Sequence, residues 1–207
     1  MSAGGTGTIQ SDRLELVSLG PAAIDALLAG KRLEVEALAG AVLPPDWPDA
    51  HDAGFLRWRA KQMREDSRAQ QWLVRLLVLR GGERRMIGHA GFHGPPGTNG
   101  PSKAGAVEVG YTVIEEFRGC GYATEAVRAL LGWARAEHGI RQFVASVSPG
   151  NAPSLAIVKK LGFVQTGTQW DEHDGEELVF ELALSSTSEP SETSAGRRPG
   201  RRHPRRP

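Results

Sequence analysis

Nothing constrains the fold of this chain more than the way its hydrophobic spacing changes along the sequence. "RLELVSL" (13–19) sets Leu14 and Leu16 against Arg13, Glu15 and Val17, the two-residue period of a strand. The period then lengthens. "PAAIDALLAG" places Pro21 where a helix tolerates it and closes on Gly30, and "KRLEVEALAG" continues helical. "AVLPPDWPD" breaks the run, and "AGFLRWRAKQMRED" reads as an amphipathic helix through Phe55, Trp58, Gln62 and Met63. Strand spacing returns in "QWLVRLLVL" and "RMIGHAGFHG", a hairpin joined by "RGGER", and in "GAVEVGYTVI". Helix "ATEAVRALLGWARAEHG", strand "RQFVASVS", helix "APSLAIVKKLG", strand "FVQTGTQW", a turn at "DG" and strand "EELVFELAL" follow. This order implies one α/β domain built on a mixed sheet.

The 207 residues, 40% hydrophobic, suffice for one sizeable core. No apolar run approaches the 18 or so residues of a membrane span, and "MSAGGTGTIQ" reads as a flexible start (1–9) rather than a leader. A soluble, cytoplasmic protein is expected, with no membrane partner. The single cysteine, Cys120, leaves no intramolecular disulfide and no cysteine-based zinc knuckle. The domain is expected over 10–184. Beyond it, "SSTSEPSETSAGRRPGRRHPRRP" (185–207) reads as a disordered basic tail, six arginines against Glu189 and Glu192, which leaves the first 184 residues at −3 beneath a chain total of +1. Such a short basic run is weak grounds for a nucleic-acid partner, and none is expected.

"FRGCGYATEA" (117–126) spends two glycines between a strand ending near Ile114 and a helix starting near Ala123. Amides at a helix N-terminus lack intrahelical partners and the helix dipole favours negative charge there, so the loop suits a phosphate. It has neither the third glycine of a dinucleotide fingerprint nor the Gly-Lys-Ser/Thr of a nucleotide P-loop.

"RGCGYA" fits the Arg/Gln-x-x-Gly-x-Gly/Ala signature of the GNAT N-acetyltransferases. Together with "VEVGYTVIEEFRGCGYATEAVRALLGWA", "NAPSLAIVKKLGF" and "IGHAGFHGPP", the chain resembles the RimJ/RimL-type subfamily over about residues 10–184. The resemblance implies the GNAT fold: a mostly antiparallel twisted sheet of about seven strands with helices on both faces. It also implies acetyl-CoA as co-substrate and a primary amine, small or a protein N-terminus, as acceptor. Carried over residue by residue, it sets Arg118, Gly119, Cys120, Gly121, Tyr122 and Ala123 on the diphosphate. Thr112, Val113 and Ile114 fall along the pantetheine, with Asn151 against it, and Ser154 beside the sulfur. Many relatives carry a tyrosine acid where this chain has Val158. The missing acid keeps a second reading open, a non-catalytic acyl-CoA-binding module. A monomer or homodimer fits either.

Strand alternation places Glu108, Gly110 and Thr112 on one face and Val107, Val109 and Tyr111 on the other. Glu108 is the candidate base, directly or through a water, and Ser154 the candidate donor to the departing sulfur. Asn151, Ser154 and Val158, at i, i+3 and i+7, share a helix face, and Asn151 also reads as an N-cap. His89 and His93 share a strand face. Without a third ligand they read as cleft lining or ordinary strand histidines, and no metal is expected. Asp171, Glu172 and Asp174 form an acidic turn, and Trp47 and Trp58 are candidates for an aromatic acceptor wall or for the core.

Overall fold

The computed structural model describes residues 7–97, 104–172 and 175–184. The tail at 185–207, residues 1–6 and Asp174 of the acidic turn lie outside them. The elements run β1 (Ile9–Gln10), β2 (Leu14–Ser18), α1 (Pro21–Leu28), α2 (Arg32–Ala39), α3 (Ala50–Glu65), β3 (Arg75–Leu79), β4 (Met86–Phe92) and β5 (Val107–Val113). They continue with α4 (Tyr122–His138), β6 (Gln142–Val147), α5 (Ala152–Lys160), β7 (Val164–Asp171) and β8 (Gly175–Ala183).

The strands form one sheet in the order β1-β2-β3-β4-β5-β6-β8-β7. Every pairing is antiparallel except β5 with β6. The eighth strand is β1, where a flexible start was expected. Ile9 is buried in the core, which holds that end of the chain against β2. α3 begins earlier than its apolar period suggested, because Asp49 caps it, its Oδ1 accepting from the Asp52 amide at 2.8 Å. β3 starts only at Arg75, and a short 3-10 turn at Glu115–Phe117 fills the gap between β5 and α4.

Two cores lie on opposite faces of the sheet. Leu77, Phe92, Val107, Val109 and Phe143 pack with Ala126, Val127, Leu130 and Ala134 of α4. Leu76, Val78 and Met86 pack with Ile24, Leu27, Val35, Leu56 and Met63 of α1, α2 and α3. β3 feeds both, its alternate side chains pointing opposite ways. Arg75, 1% exposed, sets its guanidinium against the Trp133 ring of the first core and donates to the Gly7 and Gln71 carbonyls at 2.9 Å each.

Strand β4 relies on missing side chains. A Cβ on Gly91 would sit 1.8 Å from the Leu73 carbonyl oxygen, and one on Gly88, at φ +154°, 2.1 Å from that of Thr112. The backbone of 72–73 thus lies directly over β4, with the Phe92 amide donating to the Trp72 carbonyl at 2.7 Å.

Candidate active site

β5 and β6 pair at only two positions, Val107 with Phe143 and Glu108 with Val144, and then part. Parallel strands that separate leave one backbone edge without a ladder partner and open a wedge between them. A cavity of about 550 Å³ occupies this wedge and extends under α3.

Glu108 stands at the point of parting, 5% exposed. Ser146 of β6 donates to its Oε1 at 2.6 Å, and His93 Nδ1 lies 3.4 Å from its Oε2. Burial alone would raise the Glu108 pKa, but His93, the Ser146 hydroxyl and the Arg59 guanidinium together hold it below the ordinary carboxylate range. Gln169 of β7 donates to both Ser146 Oγ and Glu177 Oε2 at 3.0 Å, tying four strands into one polar network. Arg59, 4% exposed, donates to the His93 carbonyl at 2.9 Å and to Gln62 at 3.0 Å. Burial pushes its pKa down to about 10, with Glu108 opposing.

His89, Gly91 and His93 all line the cavity, as their shared strand face requires. The His93 ring fits because residue 110 is glycine: a Cβ there would meet His93 Nε2 at 2.9 Å. His89 stacks on Phe55 with centroids 5.3 Å apart and faces Asp52 at 3.6 Å. That contact holds the Asp52 pKa down, burial opposing.

At the far end of the wedge, Asn151 caps α5, its Oδ1 accepting from the Ser154 amide at 3.1 Å. Asn151, Ser154 and Thr112 therefore line one cavity, and Glu108 stands behind its wall, bonded to the lining residue Ser146. Val158 does not join them; it is 1% exposed in the α4-side core. Tyr111 does, despite sharing a strand face with Val107 and Val109. With β6 turned away, its side chain borders the wedge while its hydroxyl lies buried near Ser154. Burial pushes the phenol pKa up, and the Ser154 hydroxyl acts in the opposite sense.

The remaining sequence candidates lie beyond the cavity. Val113 is buried in the core, and its carbonyl accepts from Arg118 Nε at 2.9 Å. Ile114 borders a second cavity of about 530 Å³, which shares Asp49 and Asp52 with the first and is walled by Pro44, Trp47 and Glu116. Gly119 (φ +75°) and Gly121 (φ +82°) both take the left-handed backbone, which answers why the loop gives up side chains there. Gly121 is the N-cap of α4 and offers no side chain to it, so the amides of the first turn, from Tyr122 and Ala123 on, are left for a ligand. Cys120 is exposed between the glycines. Trp47 is buried on the second cavity, whereas Trp58 is 47% exposed beneath the Arg59 guanidinium, 4.3 Å away, outside both cavities.

Sequence reasoning did not find Arg59, Asp52, Ser146, Gln169 or Glu177 as parts of the site. Their signal is register across strands and packing of α3 over β4, and no local spacing encodes either.

The acetyltransferase (GNAT) domain model matches residues 13–164, and the chain belongs to that family. It is 30% identical over 91 residues to the uncharacterized N-acetyltransferase YnaD of Bacillus subtilis, covering 44% of this chain and 49% of that protein. The chain spans about half the length, or less, of the first curated relatives it matches. Among solved structures, a putative GnaT-family acetyltransferase from Bordetella pertussis superposes with a TM-score of 0.60 at 25% identity, over 86% of this chain and 99% of that one. RimL, a ribosomal alpha-N-protein acetyltransferase in its apo form, superposes with a TM-score of 0.57 at 18% identity, over 86% and 94%.

Proposed function

We propose that the protein transfers the acetyl group of acetyl-CoA to a primary amine by direct attack, with no acyl-enzyme intermediate. The observation that carries this reading is the wedge itself, lined by Thr112, Ser146, Asn151 and Ser154 and backed by the buried, hydrogen-bonded Glu108, on the strand that leads into the open amides of α4. The diphosphate lies against Arg118, Gly119, Cys120, Gly121, Tyr122 and Ala123, where helix-terminal amides favour an anion. The pantetheine follows the open edge of β5 along Thr112, Val113 and Ile114, with Asn151 opposite. For Val113 only the backbone is available, since its side chain is buried.

Fixed amides of β5 near Val109–Thr112 stabilise the oxyanion that forms as the amine nitrogen bonds to the thioester carbon. Glu108 takes the proton released from that nitrogen, directly or through a water, and the C–S bond then breaks. Ser154 supplies a proton to the departing thiolate, with the Tyr111 hydroxyl behind it. A thiol with an ordinary pKa of about 8.5 leaves with little help, so Val158 in place of a tyrosine is no obstacle. The low pKa of Glu108 makes it a weak base. That suits an α-amine, about 10% neutral at pH 7, better than a lysine amine. RimL, a fold neighbour, acts on protein α-amines by its name, and a protein N-terminus is accordingly the acceptor class favoured here.

The test is release of free CoA from acetyl-CoA in the presence of peptides with free α-amines, polyamines or aminoglycosides, with Glu108→Gln as control. Turnover on peptides, reduced about 100-fold or more in the variant, is the expected result. Acetyl-CoA binding with no turnover on any amine would replace this reading with that of a binding module.

A further inference from the structure

The α4 N-terminus carries a feature that a bare anion site would not. Glu125 puts a carboxylate in the first turn of the helix, the turn whose amides the proposed diphosphate would face. That charge is turned back and neutralised by the opposite end of the domain. The Arg13 amide and Ser11 Oγ each donate to Glu125 Oε1 at 2.7 Å, and Arg13 Nε donates to Oε2 at 2.7 Å. These bonds outweigh the effect of burial and hold the Glu125 pKa down. The same guanidinium continues onto the loop: Nη1 donates to the Cys120 carbonyl at 3.1 Å, and the guanidinium carbon lies 4.4 Å from the centre of the Tyr122 ring. A Cβ on Gly121 would stand 3.6 Å from Nη2.

The peptide joining Cys120 to Gly121 is planar and trans, so its C=O and N–H point in opposite directions. With the carbonyl held by Arg13, the Gly121 amide is turned away from the guanidinium, toward the open side of the loop. Glycine at φ +82° gives that plane an accessible flipped alternative, which the Arg13 bond opposes.

We propose that Arg13, braced by Glu125 and Ser11, is a positioning residue that presets the Cys120–Gly121 peptide for the diphosphate of acetyl-CoA. The inference rests on the acetyl-CoA reading above. A planar guanidinium can bridge a carboxylate and a carbonyl at once, whereas a lysine ammonium supplies charge without that fork.

Two measurements on the full chain separate this role from simple stabilisation. In the ligand-free protein, the Gly121 amide resonance is compared by NMR among wild type, Arg13→Met and Arg13→Lys, well below each thermal midpoint. Acetyl-CoA affinity is then measured by calorimetry under the same conditions. The expected result is a sharp Gly121 amide in wild type, exchange broadening in both variants, and binding weakened about tenfold in Arg13→Met with at most partial recovery in Arg13→Lys. An unchanged Gly121 amide with unchanged affinity in Arg13→Met, or full recovery of both in Arg13→Lys, overturns the proposal. Absence of acetyl-CoA binding in wild type would refute the functional reading, while the NMR comparison would still decide whether Arg13 sets the peptide.

Discussion

Glu108 shows how much one residue's role depends on neighbours distant in sequence. Its strand and face were legible from the alternation in "VEVGYT", and its isolation among valines marked it as exceptional. Its partners were not legible. Ser146 is 38 positions away, and His93 reaches it only because Gly110 leaves room for an imidazole. Gly110→Ala is therefore expected to displace His93 and raise the Glu108 pKa, moving the acidic limb of the activity profile to higher pH; a pH–rate profile checks this. Gly91→Ala tests stability instead. Its Cβ would collide with backbone, not with a side chain that can swing aside, so a loss of about 2 kcal/mol or more is expected in urea unfolding. The Arg13–Glu125 contact spans 112 positions, and nothing local in either segment announces it.

At the scale of elements, the sequence conveyed order and type well, because a period of two and a period of 3.6 are distinct over five or more residues. The ends were harder. β1 is two residues long, too short to show a period, and α3 starts at a cap that its apolar spacing does not register. α5 is the instructive case. Asn151, Ser154 and Val158 do fall along one side of the helix, yet only the first two line the wedge, because the far end of that side sinks into the α4 core. Val158→Tyr, which would supply the tyrosine that the family resemblance implies at this position, is expected to overpack that core and cost about 1–3 kcal/mol without increasing turnover. Urea unfolding and CoA release together check both parts.

For the whole molecule, the two cores share β3 and β4, so neither can melt while the other keeps its sheet. A single unfolding transition is expected, with near- and far-UV circular dichroism coinciding, and Leu130→Ala, which empties a fully buried site, lowers stability by about 2–5 kcal/mol. Acid acts on the same whole. Glu15, Asp52, Glu108 and Glu125 all have folded pKa values below their ordinary ones. Their contribution is complete above the unfolded carboxylate range near about 4 and is lost as pH falls through the lower folded values. Arg13→Met lets the Glu125 pKa rise toward its ordinary value, so that variant is expected to unfold at a higher pH in an acid titration.

The early separation of β5 and β6 has a kinetic corollary. From Val109 onward β5 has β4 on one side and, among the described residues, no strand on the other. Its outward amides should trade their hydrogens for deuterium quickly, as a frayed edge does, although they sit in the middle of an eight-stranded sheet. A thioester arm lying along that edge would act as a temporary ninth strand. Those amides should then become slow to exchange when acetyl-CoA is added and fast again when it is removed, so the centre of the sheet would report occupancy directly.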